Sequence, residues 1–129
     1  MNKFLFILMS IFSLFGCASA TSENVQSVPA SAFAKMIEAD KNIVRLDVRT
    51  AGEHAMGHIP GSLNIDVMSS SFQQQAQAQL PKDKTIALYC QSGNRSKQAV
   101  RILDKMGYKI IELSTGFMGW QREGLPIAR

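Results

Sequence analysis

Thr85-Ile-Ala-Leu-Tyr-Cys-Gln-Ser-Gly-Asn-Arg-Ser-Lys97 decides the reading of this chain. An apolar run passes directly into a cysteine, then a short glycine-bearing loop, then a helix. Thr85 to Tyr89 has the composition of a buried strand of a parallel sheet. Ser96 is the expected N-cap of the helix, whose apolar positions Ala99, Val100, Leu103 and Met106 recur at helical spacing before Gly107 ends it. Cys90 therefore falls at the carboxyl end of a strand, facing the amino end of a helix. Open α/β sheets bind ligands at that end of their strands.

The loop has a chemical consequence. Residues Gln91, Ser92, Gly93, Asn94 and Arg95 can curl so that their N–H groups converge on the sulfur, with Gly93 allowing a turn that other residues resist. The helix adds roughly half a positive charge at its amino end. Arg95 adds a permanent cation. All three favour thiolate over thiol and lower Cys90 from the free value of about 8.5. A nucleophile that transfers sulfur or phosphorus needs such an anion-stabilising bowl. The alternative is a structural cysteine before an ordinary turn. Free cysteine is often buried, but a loop of this kind asks for more than packing.

The chain has 129 residues and two cysteines, Cys17 and Cys90. Residues 4–15 are mostly apolar and follow a single basic residue, too short a run to span a bilayer comfortably and of a kind expected in an export signal. Ala18-Ser-Ala20 fits ordinary cleavage after residue 20. Leu14-Phe-Gly-Cys17 resembles a bacterial lipoprotein box, with cleavage after residue 16 and lipid on Cys17. Either outcome predicts an exported, periplasmic protein, soluble or lipid-anchored at Cys17 as its one link to the membrane. Residues 21–27 are polar and read as a flexible leader, and 28–129 as one domain. Cys90 is then the only mature thiol in a compartment that oxidises thiols. The net charge of +4 contains no basic run interleaved with aromatics, which argues against nucleic acid. It mildly favours anionic small substrates.

Elsewhere Pro29 and Ser31 mark a helix start, with Phe33, Met36 and Ile37 on its apolar face. Asn42 ends it, and Ile43 to Val48 reads as a strand. Thr50 to Ala55 reads as a short helix, Gly57-His-Ile-Pro-Gly61 as a turn, and Ser62 to Ile65 as a short strand. Phe72, Ala76 and Leu80 recur in a Gln/Ala-rich helical segment. Ile110 to Leu113 reads as a further strand and Gly116 to Trp120 as a turn and short helix. The alternation predicts an α/β fold with a mostly parallel sheet covered on both faces.

A second cluster gathers Asp47, Arg49, Glu53 and His58. Asp47 ends a buried strand, where an unpaired carboxylate is costly. Arg49 or a backbone donor is its expected partner, with Glu53 able to hold Arg49 in turn. The cluster reads as scaffold rather than acid/base machinery. His54 and His58 lie four apart, but Gly57 and Pro60 disfavour a helix carrying both, and the glutamate of a zinc-protease helix is missing. No metal site is expected.

Asp47-Val-Arg49, Glu53, Gly57-His-Ile-Pro-Gly61, Asn64, Cys90-x-x-Gly93-x-Arg95-Ser96 and Gly116-x-x-x-Trp120 together resemble a single-domain rhodanese-like sulfurtransferase, over about residues 28–127. With the export signal, the likeness is to the small periplasmic rhodaneses of bacteria. The resemblance implies a doubly wound α/β domain with a parallel, five-stranded sheet and a cysteine that carries sulfane sulfur as a persulfide. Cys90 matches that nucleophile. Gln91 to Arg95 match the loop whose amides cradle the outer sulfur, and Ser96 follows it at the helix start. Asp47, Arg49 and Glu53 match positions that are mainly architectural, and His58 lies in the supporting turn. Gln91 and Ser92 are neutral where some thiosulfate-using relatives carry basic residues, and Thr115 stands where glycine is common.

The implied reaction is transfer of sulfane sulfur from an anionic donor, thiosulfate-like or a persulfide, to a thiol, cyanide or protein acceptor. Arg95 would hold or steer the donor, and no cofactor is implied. The rivals are a binding or sulfur-relay module without turnover, and a cysteine phosphatase or arsenate reductase. Phosphatase relatives have a loop one residue longer than Cys90–Arg95.

Overall fold

Ile86–Tyr89 is buried along its whole length because it lies at the centre of a sheet covered on both faces. The structure, a computed structural model, describes residues 22–129. The run read as an export signal, and Cys17, lie outside the described residues.

Five strands, β1 (Val25–Val28), β2 (Val44–Asp47), β3 (Leu63–Asn64), β4 (Ile86–Tyr89) and β5 (Ile110–Leu113), form one sheet in the order β1-β5-β4-β2-β3. All neighbouring pairs are parallel. Five helices connect or follow them: α1 (Ala30–Ala39), α2 (Ala51–Met56), α3 (Phe72–Gln79), α4 (Asn94–Lys105) and α5 (Gly116–Arg122). Phe72 and Ala76 of α3 and Ala99 and Leu103 of α4 pack on one sheet face with Leu46, Ile86, Leu88 and Ile110. Phe33 and Ile37 of α1 and Phe117 and Trp120 of α5 pack on the other with Ala87, Tyr89, Ile111 and Leu113. This is the doubly wound arrangement, and the helical spacing of the apolar residues decides which face each helix buries.

Two local features depart from the sequence expectation. Residues 21–27, read as a flexible leader, contain most of β1, which pairs with β5 from Val25↔Ile110 to Val28↔Leu113. The ordered domain thus begins before residue 28. Val25-Gln-Ser-Val28 has a polar middle because it is an edge strand whose central residues face solvent. Ser96, expected as an N-cap, lies inside α4. The helix starts at Asn94, and Gly93 occupies the cap position with φ +103°. Asn94 and Arg95 are therefore helical rather than loop residues.

α2 meets its expectation with more detail than the sequence offered. Thr50 Oγ1 accepts from the Glu53 N–H at 3.2 Å, and the Glu53 carboxylate accepts from the Thr50 N–H at 3.1 Å. This reciprocal pair satisfies two otherwise orphaned donors of a helix only six residues long.

Candidate active site

Strand alternation sets the direction of the cysteine. Ile86, Leu88 and Cys90 enter the layer beneath α3 and α4, whereas Ala87 and Tyr89 enter the opposite one. Cys90 is 1% exposed, and the N–H of Gly93 donates to its Sγ at 3.0 Å. Burial pushes the thiol up. The backbone N–H and hydroxyl of Ser96, then the N–H groups of Gly93 and Ser92, outweigh it, so the thiol lies below its ordinary value of 9.0.

Two glycines make this bowl possible. A Cβ on Gly93 would lie 2.7 Å from the carbonyl oxygen of Ser114, at a φ that side chains rarely adopt. Gly116 has φ +67°, and a Cβ there would lie 2.6 Å from the carbonyl carbon of Gln91 and 2.8 Å from the Ser92 nitrogen. That close approach lets the first turn of α5 hold the loop from outside. Phe117 N–H donates to the Cys90 carbonyl at 2.8 Å, and Met118 N–H to that of Gln91 at 3.1 Å. With these carbonyls drawn outward, the loop amides are left to face the sulfur.

The supporting residues are assembled differently from the expectation in one respect. Glu53 does not hold Arg49. It takes Arg95 in a two-pronged pair at 2.7 and 2.9 Å. This pair first of all holds Glu53 far below the usual carboxylate range, at about 2. Arg95, expected as a free cation for the donor, is thus already matched by a carboxylate. Arg49 belongs to Asp47, with Nε and Nη2 at 2.9 and 2.7 Å from its two oxygens. It also donates to the carbonyl of Gly57 at 2.6 Å and to Gln91 Oε1 at 3.0 Å, and its guanidinium lies over the Phe117 ring at 4.4 Å. Both charges are buried. Asn64 donates to the Asp47 and Arg49 carbonyls at 3.0 and 2.9 Å, closing the scaffold beneath the loop.

His58 is part of this scaffold. Its backbone pairs with Ala128 in both directions at 2.9 Å, and its ring stacks on that of His54 at 3.8 Å. His54 Nδ1 lies 2.9 Å from Asp47 Oδ2. Among the described residues no three potential metal ligands cluster.

One residue was missed by the sequence reading. Glu112 is 4% exposed in β5 and accepts from the Ser96 hydroxyl at 2.5 Å, from Ser27 at 3.1 Å and from Lys97 at 3.3 Å. It fixes Ser96 beside Cys90 from the neighbouring strand. The available signal was an acid inside an otherwise apolar strand, Ile110-Ile-Glu-Leu113, because a buried carboxylate requires partners. Ser92, exposed, forms the outer rim of the loop, Asn94, also exposed, opens α4, and Gln91 is half-buried.

A sequence family described as Rhodanese-like domain matches residues 29–123. The chain is 31% identical over 104 residues to a protein of Allochromatium vinosum named Sulfurtransferase, covering 80% of this chain and 94% of that one. It is 31% identical over 102 residues to the Putative sulfurtransferase YtwF of Bacillus subtilis, covering 79% and 96%. It is 27% identical over 130 residues to the Thiosulfate:glutathione sulfurtransferase of Saccharomyces cerevisiae, covering 89% and 94%. Among solved structures, a rhodanese-related protein of Thermoplasma volcanium superposes with a TM-score of 0.71 at 33% identity, covering 80% of this chain and 97% of that one.

Proposed function

The chain belongs to the rhodanese-like domain family and is at that level a sulfurtransferase; on that premise we propose that it carries sulfane sulfur as a persulfide on Cys90. The observation that carries this reading is the buried Cys90 sulfur at the end of β4, which receives a loop N–H at 3.0 Å. Its thiol is lowered despite burial. In the first step the Cys90 thiolate attacks the sulfane sulfur of an anionic donor. The donor's bond to that sulfur breaks, and its electron pair leaves with the remainder of the donor. In the second step an acceptor nucleophile attacks the outer sulfur, and the sulfur–sulfur electron pair returns to Cys90. The substrate's negative charge falls in both steps near the N–H groups of Ser92, Gly93 and Ser96, which need no reorganisation to receive it. With Arg95 matched by Glu53, these amides are the principal holders of the donor.

Intact-mass measurement tests the reading. Incubation with thiosulfate or a persulfide should add the mass of one sulfur atom, and cyanide should remove it. Cys90→Ser should acquire none. An unmodified parent, or a Cys90→Ser variant that transfers sulfur equally well, overturns it.

We propose export as well, on the apolar run at 4–15 and the two cleavage sequences that follow it. Sequencing the amino terminus of the mature protein tests this. A start at residue 17 or 21 supports it, and retention of Met1 counts against it.

A further inference from the structure

The charges beside the Cys90 loop cancel in pairs. Arg95 donates through both terminal nitrogens to Glu53, at 2.7 and 2.9 Å. Its guanidinium lies above its ordinary value chiefly through those hydrogen bonds, against the pull of burial, and the charges of Glu53, Cys90 and Asp66 add to the rise. Arg95 is therefore close enough to feel the charge of the sulfur. Glu53 is not free to turn away and release it. Its Oε1 also accepts from the N–H and the hydroxyl of Thr50, both at 3.1 Å, within the capping box that starts α2. Arg49, which reaches Gln91, and Lys97, which follows the loop, are matched as well, by Asp47 and Glu112. Gln91 and Ser92, directly after the nucleophile, are neutral. An incoming donor thus meets amide dipoles and no unmatched cation from these residues.

We propose that Glu53 is a specificity-determining residue: by keeping Arg95 neutralised, it makes the site discriminate against doubly charged sulfane donors in favour of singly charged ones. The proposal rests on the persulfide reading above. Attack by the Cys90 thiolate brings one negative charge against those of the donor. Each further charge on the donor adds repulsion, which amide dipoles offset less well than a free guanidinium. Glu53 withholds that guanidinium. The bridge is partly exposed, with side chains 27% and 33% accessible, so its effect on rate is modest and is screened by salt. Glu53 acts through Arg95 and takes no part in bond making.

Thiosulfate and methanethiosulfonate are the probes, because a methyl group in place of one oxygen removes one charge. With either, the Cys90 thiolate takes the sulfane sulfur, the bond to the donor's other sulfur breaks, and its electron pair leaves with sulfite or methanesulfinate. No oxidant or reductant is consumed. Glu53→Gln keeps an acceptor for the capping box and removes the charge. It should raise kcat/KM for thiosulfate relative to methanethiosulfonate about fivefold, the upper end for a partly exposed charge, and high salt should shrink that gain. Arg95→Gln should move the ratio the other way. The double variant should return it close to the parent value, since the pair is then neutral again. A Glu53→Gln variant that changes both donors alike, or a shift that survives in the double variant, overturns the proposal. Unreactive anions give a readout independent of turnover. Glu53→Gln should tighten sulfate relative to methanesulfonate, followed through the backbone amide resonances of Gly93 and Ser96, and an unchanged ratio counts against the proposal. If Cys90 forms its persulfide and Glu53→Gln shifts neither ratio, the role of Glu53 fails while the sulfurtransferase reading stands. If the persulfide never forms, that reading fails, and the anion titration still decides the role of Glu53.

Discussion

Cys90 is held between burial, which opposes ionisation, and a set of N–H and O–H donors that favours it, with the donors prevailing. Alkylation by iodoacetamide should therefore persist below the pH at which an ordinary thiol falls silent, and decline only as pH drops through the lowered value. The same shift has a stability consequence of definite sign. A depressed acid stabilises the fold fully above its unfolded value of 9.0 and loses that contribution as pH falls through its folded value. Cys90→Ser should remove that slope from urea-unfolding curves measured across the window, and an unchanged slope counts against the bowl. Arg49 is the contrasting residue, because its work is structural. Arg49→Ala strands Asp47, which is 0% exposed, and should cost about 3–5 kcal/mol as broken buried pairs do. Urea denaturation measures the loss, and a variant of parental stability without turnover would reassign Arg49 to the chemistry. The Asp47–Arg49 pair was legible because the two residues sit two apart at the end of a buried strand. Glu53's choice of Arg95 was not, since that partner lies 42 residues away and only the fold brings it near.

At the level of elements, the bowl is a joint between three pieces: the end of β4, the start of α4 and the start of α5. Strand and helix periodicity identified all three, and the Gly93 turn was readable between the first two. The role of Gly116 was not, because nothing local says that its missing side chain makes room for Gln91 and Ser92. Gly116→Ala should therefore damage the site from outside it. It adds a left-handed backbone penalty of about 1–2 kcal/mol to a clash with loop backbone that cannot swing away. Gly107→Ala is the matched comparison, with φ +96° and no heavy atom within 4 Å of the added carbon. Both variants should lower the urea midpoint. Only Gly116→Ala should also slow sulfur loading of Cys90 and raise the pH at which its alkylation declines. Equal loading rates in the two variants would show that α5 does not shape the loop.

Across the whole molecule the site depends on the sheet edge that the sequence reading placed in a leader. Polar Gln26 and Ser27 hide β1 from hydrophobic patterning, since an edge strand needs backbone partners more than apolar side chains. Its contacts run towards the chemistry. The Asn24 carbonyl accepts from Ile110 N–H at 2.7 Å, and the Val28 carbonyl accepts from the N–H and hydroxyl of Ser114 at 2.9 and 3.1 Å. Ser27 donates to Glu112, which in turn accepts from the Ser96 hydroxyl beside Cys90. The carbonyl of Ser114 is also the atom that Gly93 must approach closely. A chain starting at Pro29 keeps the whole segment matched by the family, 29–123, yet it should lose roughly 1 kcal/mol for each of these hydrogen bonds. It also exposes the edge of β5 to pairing with other chains. We expect a lower urea midpoint, concentration-dependent association and a Cys90 alkylation profile moved to higher pH, because Glu112 no longer has Ser27 to help position Ser96. A chain starting at Ser22 should match the full-length protein in all three measurements. If the chain starting at Pro29 matches it too, β1 contributes nothing to the site, and residues 21–27 act as the leader their composition suggests.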